Sequence, residues 1–219
     1  MVIAIDGPAG SGKTTTAKYV AKILGFIHIN TGAMYRGIAL KCIDGNIDLD
    51  NKSALERILG ETTFQFSDNK GSELCMDGKN ISDDISKAEV TKSVSYISTI
   101  PLVRERLVEY QREMAEGEHV VLEGRDIGTV VFPNADYKFF LFADLHERAI
   151  RRKKEMEEKG DSLGLEDITQ ALEERDRKDS TRKHSPLKKA EDAVEIDTTG
   201  LNIEDQVNCI IEIVSQTNK

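Results

Sequence analysis

A glycine-rich segment near the N-terminus has the residue types that bind phosphate groups. Residues 7–14 read GPAGSGKT and fit the pattern G-x-x-x-x-G-K-[ST]. Glycines let the backbone turn so that consecutive N–H groups point at phosphate oxygens, and a following helix presents its positive end to the same anion. In this pattern the lysine reaches the β- and γ-phosphates, and the last hydroxyl ligates Mg²⁺. The spacing therefore predicts a Walker A loop that binds a nucleotide.

The residues on either side of this loop favour a strand–loop–helix unit. Residues 2–5 form a short apolar run, residues 17–24 carry an apolar stripe at helical spacing, and Gly25 is placed to end that helix. Lys13 is the expected catalytic cation and Thr14 the expected Mg²⁺ ligand. We expect the nucleotide cofactor to be bound by Gly7, Pro8, Ala9, Gly10, Ser11, Gly12, Lys13, Thr14 and Thr15.

Two arginines follow glycine-containing turns elsewhere in the chain. Arg36 comes after TGAMY at 31–35, and Arg125 lies in EGRD at 123–126, directly after an apolar run at 120–122. Arg125 should therefore lie at the carboxyl end of a strand, where open α/β sheets bind ligands. Either arginine alone could be an ordinary surface residue. Together, in a protein with a phosphate-binding loop, they predict a second anion site for a phosphoryl acceptor.

A stripe of residues further along the chain changes from apolar to charged. Ile168, Leu172, Arg175, Asp179 and Arg182 share one helix face by their spacing. One interpretation is that the helix leaves the core and borders a polar cavity, where its arginines meet phosphate. The alternative is an exposed ion pair that contributes little to stability.

Three arginines at the start of the preceding helix predict a lid. Arg148, Arg151 and Arg152 precede a flexible tip at 159–164, KGDSLG. A lid over the transferring phosphoryl group would exclude water, which otherwise competes as an acceptor. We therefore assign catalytic roles to Arg148 and Arg152. A solvated basic helix is the alternative.

The apolar runs and helical patterns indicate the fold class. Further runs of strand length lie at 26–29, 120–122, 139–142 and 194–196, with helical patterns between most of them, which is typical of an α/β protein with a parallel sheet. Residues 62–85 interrupt the alternation, and Asp77-Gly78 is a hairpin signal, so we predict a small antiparallel insertion there.

Helix starts are predicted from capping signals. Ser53 with Glu56, Ser86 with Glu89, and Asp144 with Glu147 resemble capping boxes. Pro101 suits the first turn of a helix that continues to about residue 115.

Composition excludes several classes of protein. The chain has 219 residues, 32% of them charged, and a formal net charge of −9, which disfavours a general nucleic-acid binder. No run reaches the ~18–20 apolar residues of a membrane span, and the N-terminus lacks a basic leader, so we expect a cytoplasmic protein. The three cysteines lie far apart and predict neither a disulfide framework nor a zinc site.

The sequence resembles the bacterial cytidylate kinases, which are nucleoside monophosphate kinases. The resemblance covers nearly the whole chain. It is carried by IDGPAGSGK at 5–13, TGAMYR at 31–36, GRDIGTVVFP at 124–133, the arginines at 148–152, and ERD with Asp179, Arg182 and SPL at 174–187. The block at 124–133 is the most specific. The sequence departs from the family at Glu123, where aspartate is common; neither Glu123 nor any of the four histidines receives a predicted role.

The resemblance implies transfer of the γ-phosphoryl group of ATP to CMP or dCMP, with Mg²⁺. It implies a P-loop NTPase fold with a five-stranded parallel sheet, helices on both faces, a monophosphate-binding insertion at about 60–100 and a short lid at about 147–165, all in one domain of 1–219. We expect a monomer whose partners are ATP and CMP or dCMP, not nucleic acid or membrane.

The resemblance also implies roles for acceptor-binding residues. The acceptor phosphate would be bound by Arg36, Arg125 and Arg175, in a pocket lined by Thr31 and Tyr35. Asp179 and Arg182 would face the sugar and phosphate. The base would be recognised by Ser95, Arg104 and Asp126, because a carboxylate suits the amino group of cytosine and an arginine suits its acceptors.

Three alternatives remain open on the sequence. The acceptor could be UMP, AMP or a non-nucleotide such as shikimate. The protein could be a module that senses nucleotide without transferring phosphate. It could also be an RNA-associated ATPase, although that class needs an extended basic surface.

Overall fold

A computed structural model describes residues 1–66, 74–158, 160 and 162–216. The strands are β1 (Val2–Asp6), β2 (Ile27–Asn30), β3 (Phe64–Phe66), β4 (Leu74–Met76), β5 (Lys79–Asn80), β6 (Val120–Gly124), β7 (Tyr137–Phe142) and β8 (Val194–Asp197). The helices are α1 (Lys13–Leu24), α2 (Thr31–Asp44), α3 (Lys52–Glu61), α4 (Ala88–Ile97), α5 (Pro101–Ala115), α6 (Leu145–Glu158), α7 (Leu165–Thr181) and α8 (Ile203–Gln216).

Five strands form a parallel sheet in the order β2-β6-β1-β7-β8. Because all five run in one direction, their carboxyl ends meet at one edge. Asp6 at the end of β1 pairs in register with Gly124 at the end of β6, and Asn30 at the end of β2 pairs with Glu123. The sheet therefore brings the 7–14 loop, the start of α2 and the 123–126 segment together, as the parallel α/β prediction requires.

Helices cover both faces of this sheet. On one face α1 and α8 pack through residues such as Val20, Val207 and Ile210, which belong to a core cluster with β1 and β7. On the other face a larger cluster joins α2, α3, α4 and α5 through residues such as Ile38 and Leu107. Burial on both faces explains why the strands are continuous apolar runs and do not alternate.

The predicted capping box at Ser53 is wrong. Helix α3 begins earlier, at Lys52, and the Asn51 side chain accepts a hydrogen bond from the backbone N–H of Ala54 at 3.1 Å. Asparagine is as good an N-cap as serine, so the earlier residue starts the helix.

The predicted capping box at Ser86 is also wrong. Ser86 lies in a 3₁₀ turn, and α4 begins at Ala88 with Lys87 at the N-cap and no side-chain cap bond. The helix starts predicted at Asp144 and Pro101 agree with the structure. Helix α6 begins directly after Asp144, and Pro101 is the first residue of α5, which ends at Ala115.

The interruption at 62–85 contains the predicted small antiparallel sheet, in the order β3-β4-β5. Asp77 and Gly78 join β4 to β5 with φ angles of 52° and 79°. Positive φ at both central residues is the signature of a tight hairpin turn, which confirms the prediction for this dipeptide. The part of the predicted insertion between β3 and β4 lies outside the described residues.

A helix that spans a membrane has to be both long and apolar. No helix within the described ranges meets both requirements.

Candidate active site

A cleft of about 370 Å³ opens at the carboxyl edge of the parallel sheet. It is lined by sixteen of the residues predicted from sequence: Ala9, Gly10, Lys13, Thr14, Thr15, Thr31, Tyr35, Arg36, Ser95, Arg104, Arg125, Asp126, Arg152, Arg175, Asp179 and Arg182. The predicted residues that do not line it are Gly7, Pro8, Ser11, Gly12 and Arg148.

The glycines of the 7–14 loop are required by the backbone path. Gly7 has a φ of 155°, and a Cβ atom there would lie 2.0 Å from the carbonyl oxygen of Leu141. Gly10 and Gly12 have φ angles of 76° and 85°, which side-chain-bearing residues rarely adopt. Helix α1 begins immediately afterwards at Lys13, so its positive end faces the loop. The loop is therefore shaped as a cradle for an anion.

Lys13 is buried against this loop. Its Nζ donates to the carbonyl oxygen of Pro8 at 2.9 Å. Burial lowers the pKa of Lys13 well below its ordinary value, and the positive charge of Arg125 lowers it further. A polyphosphate in the cleft would offset both effects by supplying opposite charge.

Glu123, at the end of β6, holds the first residue after Lys13. The Thr14 hydroxyl donates to Glu123 Oε2 at 2.7 Å. Burial tends to raise the pKa of the Glu123 carboxyl, but contacts with His28, the charge of Lys13 and the Thr14 hydroxyl outweigh it, so the pKa lies below its ordinary value. Sequence reasoning missed Glu123; the available signal was a carboxylate at the end of the strand beside β1.

Asp6 joins the phosphate loop to the 124–128 segment. Its two carboxylate oxygens accept hydrogen bonds from the backbone N–H groups of Ile127 and Gly128, both at 2.8 Å. Burial is the main reason that the pKa of Asp6 is raised from 3.8 to about 6. The carboxylate thereby holds the turn that follows Arg125 and Asp126.

Three partly buried arginines, Arg36, Arg125 and Arg175, line the cleft close to one another. Burial lowers the pKa of Arg175 to about 10, and the charges of Arg125, Arg36 and Arg152 contribute. Burial also lowers the pKa of Arg36, and Arg125 again contributes. Mutual repulsion of this kind is relieved by a bound dianion, so this corner is suited to a phosphate group.

Asp179 partly neutralises this group. Arg125 Nε donates to Asp179 Oδ2 at 2.9 Å. Burial raises the pKa of Asp179, but the charges of Arg125 and Arg175 outweigh it and leave that pKa below its ordinary value. The carboxylate therefore stays ionised and orients Arg125.

A second buried ion pair lies deeper in the cleft. Arg104 donates to Asp126 and also to the carbonyl oxygen of Ser98, the latter at 3.1 Å. Arg182 lies 3.6 Å from Asp126, and the Arg104 guanidinium lies 5.4 Å from the ring centre of Tyr35. The pocket thus presents both hydrogen-bond donors and an acceptor carboxylate beside an aromatic ring. Burial raises the pKa of Tyr35 to about 12, so its hydroxyl stays protonated.

The remaining predicted acceptor-side residues come from two helices. The Thr31 hydroxyl, at the start of α2, donates to the backbone carbonyl oxygen of Glu123 at 2.7 Å. Ser95 on α4 also lines the cleft.

The changing stripe of α7 borders the cleft in the way that the first interpretation describes. Ile168 and Leu172 are buried in a cluster with Ala9 of the loop, whereas Arg175 and Asp179 line the cleft. The alternative of an exposed ion pair is wrong, because Asp179 is buried and pairs with Arg125 from another element.

The structure does not bring Arg148 into the cleft. Its guanidinium donates to the carbonyl oxygens of Ala9 and Ala143, both at 3.1 Å, and to the Asp176 carboxylate at 2.6 Å. In this conformation Arg148 supports the phosphate loop from behind. Its catalytic role stays a prediction.

The other two arginines of the predicted lid differ in whether they reach the cleft. Arg151 binds the backbone and hydroxyl of Thr198, whereas Arg152 lines the cleft and pairs with Glu155 at 2.9 Å. Two residues of the predicted tip, 159 and 161, lie outside the described residues.

Comparison with known proteins agrees with this geometry. The family model for cytidylate kinase matches residues 3–216. The chain is 47% identical over 218 residues to the cytidylate kinase of Pediococcus pentosaceus, covering 99% of this chain and 96% of that one. It is 46% identical over 216 residues to the cytidylate kinase of Cytophaga hutchinsonii, covering 97% and 92% of the two chains.

A solved structure shows the same fold at lower similarity. Shikimate kinase from Bacteroides thetaiotaomicron matches with a TM-score of 0.51 and 15% identity, over 98% of both chains. This likeness confirms the P-loop kinase architecture and says nothing about the acceptor. The family match and the two cytidylate kinases go further, because they extend over nearly the full length: the chain belongs to the cytidylate kinase family.

Proposed function

We propose that this protein transfers the γ-phosphoryl group of ATP to CMP or dCMP, giving ADP and the corresponding diphosphate. The observation that carries the proposal is that a single cleft contains two different sites. One end has the phosphate-binding loop, and the other has the Arg104–Asp126 pair beside a group of arginines. The family membership and the names of the relatives support the same reaction.

The donor end suits ATP with Mg²⁺. Backbone N–H groups of residues 7–14 and Lys13 would bind the phosphates of ATP. The Thr14 hydroxyl and Glu123 Oε2 meet at 2.7 Å, and such oxygens are the ligand type that Mg²⁺ prefers. These residues fit a magnesium ion, which when bound would neutralise developing charge on the phosphates.

The acceptor end suits a phosphate monoester. We assign its phosphate to Arg36, Arg125 and Arg175, with Thr31 and Tyr35 lining the pocket. The acceptor phosphate is already anionic, so positioning and charge neutralisation suffice and no side chain has to remove a proton. Asp179 and Arg182 would then face the sugar and phosphate.

The deeper pocket suits cytosine. The cytosine amino group would donate to Asp126, and Arg104 would donate to the ring acceptors, with Ser95 completing the set. Uracil has a carbonyl oxygen in place of the amino group, which would face the Asp126 carboxylate without a proton between them. Leaving buried polar groups unpaired is the strong way to reject an analogue.

We further propose how the rest of the chain serves the reaction. Residues at about 60–100 would close over the acceptor, and residues at about 147–165 would act as a lid that brings Arg152 and Arg148 towards the transferring phosphoryl group. The whole chain of 1–219 would act as one kinase domain, as a monomer in the cytoplasm. The formal net charge of −9 favours small nucleotides over nucleic acid as partners.

A coupled assay of ADP release tests the proposal. With ATP and Mg²⁺, CMP and dCMP should release ADP with a kcat/KM at least ~10-fold above that of UMP, AMP, GMP, dTMP and shikimate. Preference for another acceptor would overturn the proposed substrate. ATP binding without any acceptor-dependent ADP release would overturn kinase activity and favour a nucleotide sensor.

A further inference from the structure

A histidine and a glutamate on adjacent strands form a buried pair to which the reaction above assigns no joint role. His28 lies in β2 and Glu123 in β6, and both side chains are almost wholly buried. His28 Nε2 lies 3.4 Å from Glu123 Oε1. Within the described part of the chain, neither atom has a hydrogen-bond partner of acceptable geometry. Two unsatisfied buried atoms therefore face each other beside the phosphate loop.

Burial makes this arrangement costly unless the two atoms serve each other. A buried polar atom without a partner costs about 1–3 kcal/mol. A small shift would bring Nε2–H and Oε1 into hydrogen-bond contact. The imidazole is therefore the group available to hold Oε1.

The other oxygen of the same carboxylate is already committed. Glu123 Oε2 accepts the Thr14 hydroxyl at 2.7 Å, and Thr14 is the expected Mg²⁺ ligand. Glutamate has one more rotatable bond than aspartate. A glutamate here therefore needs an additional contact to fix where its oxygens point.

We infer that His28 is a positioning residue that fixes the Glu123 carboxylate, and through it the Thr14 hydroxyl, in the geometry that receives Mg²⁺ with the nucleotide. This inference rests on the proposed function for its metal. It requires a proton on Nε2, which both the imidazolium and one neutral tautomer carry. Two other charged groups, Lys13 and Arg36, also act on Glu123. They lie on the nucleotide and acceptor sides, so His28 is the neighbour that holds the carboxylate from within the sheet.

Three substitutions separate positioning from packing. His28→Gln places an amide N–H close to where Nε2 lies, His28→Asn carries the same amide but is too short to reach Oε1, and His28→Leu keeps bulk without a donor. The concentration of Mg²⁺ for half-maximal activity should rise by about 10–100-fold in the Leu and Asn variants. The Gln variant should stay within about threefold of the unsubstituted protein, and the KM for CMP should change less than about twofold in all three.

A binding measurement gives a readout that does not depend on turnover. ADP affinity is measured by calorimetry in EDTA and again in Mg²⁺. Positioning predicts unchanged affinity in EDTA for all variants, and loss of the Mg²⁺-dependent gain in the Leu and Asn variants alone. Equal Mg²⁺ dependence in all proteins would overturn the inference, as would an equal loss of affinity with and without Mg²⁺.

The design remains decisive if one variant fails to fold. Should His28→Leu aggregate, the Gln and Asn variants carry the comparison, because both are polar and differ by one methylene. Failure of the proposed function is distinguishable, since it would appear as absent CMP-dependent ADP release in the unsubstituted protein. The EDTA and Mg²⁺ affinities would still test the role of His28 in that case.

Discussion

The two ends of the cleft differ in the chemical groups that we propose to bind anions. The donor end is one contiguous loop, residues 7–15, whose contribution is mainly uncharged backbone N–H groups and a single lysine. The acceptor end gathers guanidinium groups from α2, the end of β6, α7 and the residues that follow it. The first depends on a local backbone path, and the second depends on the whole fold.

This difference has an energetic consequence. Backbone N–H groups are uncharged and need no counter-ion. Buried guanidinium groups do, and the structure supplies Asp179 for Arg125 and Asp126 for Arg104. Removing one member of a buried pair leaves an uncompensated charge, so the acceptor end should be more sensitive to carboxylate substitutions than the donor end.

Loss of the donor-end cation should have the largest effect. Lys13→Ala should lower kcat by about 10³-fold, or about 4 kcal/mol, because the lysine neutralises charge that develops during transfer. Steady-state kinetics measure the effect, and Lys18→Ala, an exposed lysine on the same helix, is the matched control. A Lys13→Ala variant with normal kinetics and an unchanged unfolding midpoint would show that Lys13 has no role in phosphoryl transfer.

Asp6 joins the two ends and gives a pH-dependent prediction. Its pKa is raised from 3.8 in the unfolded chain to about 6 by burial, so the folded state retains a proton that the unfolded state releases. The raised pKa of Asp6 therefore stabilises the fold by about 3 kcal/mol below about pH 4, and this stabilisation is lost as the pH rises through about 6.

Urea unfolding of the protein and of Asp6→Asn at several pH values isolates this contribution. The difference in unfolding free energy between the two should change by about 3 kcal/mol across the window, since asparagine does not titrate. Parallel pH profiles for the two proteins would mean that Asp6 titrates near its ordinary value.

Substitution at the acceptor end should affect CMP and spare ATP. Arg125→Ala should raise the KM for CMP by about 100-fold, or about 2–3 kcal/mol, and change the KM for ATP little, because in the proposed reaction this guanidinium binds the acceptor phosphate. Arg125→Lys should recover only part of the loss, since an ammonium lacks the planar fork. The exposed Arg177→Ala on α7 is the control. Equal increases in the KM for CMP and the KM for ATP would show that Arg125 does not act specifically at the acceptor end.

The smallest effect concerns the choice of base. Asp126→Asn should lower the CMP-to-UMP ratio of kcat/KM by about 10-fold, or about 1.4 kcal/mol, because the amide can donate to the uracil carbonyl. The exposed Asp50→Asn serves as the control. An unchanged ratio in steady-state kinetics would place base recognition elsewhere.

The same contrast explains what could be predicted from sequence. The donor loop and its flanking strand and helix are local, and short apolar runs located all five strands of the parallel sheet near their observed positions. Pro101 and the Asp77-Gly78 turn were also accurate, because a proline or a positive φ acts within a few residues. Ser53 failed as a helix start because Asn51 caps the same helix two residues earlier. Ser86 failed because it ends a 3₁₀ turn, where its hydroxyl donates to the carbonyl oxygen of Ser82 at 3.3 Å.

The acceptor end could not be assembled in this way. Arg125 and Asp179 are far apart in the sequence, and only the register of β6 and the packing of α7 bring them to 2.9 Å. The sequence pattern placed Arg125 at an anion site and Asp179 beside a polar cavity, whereas their detailed roles came from the family resemblance. His28 and Glu123 were missed because their pairing crosses two strands, and the observed attachment of Arg148 to the loop backbone depends on how α6 packs.

A crystal structure with CMP, Mg²⁺ and a non-hydrolysable ATP analogue tests the central claim most directly. The account predicts the triphosphate along the 7–14 loop, the CMP phosphate within hydrogen-bond distance of Arg36, Arg125 and Arg175, and the cytosine amino group at Asp126. A CMP phosphate held by the loop, or a cytosine ring away from Asp126, would contradict it.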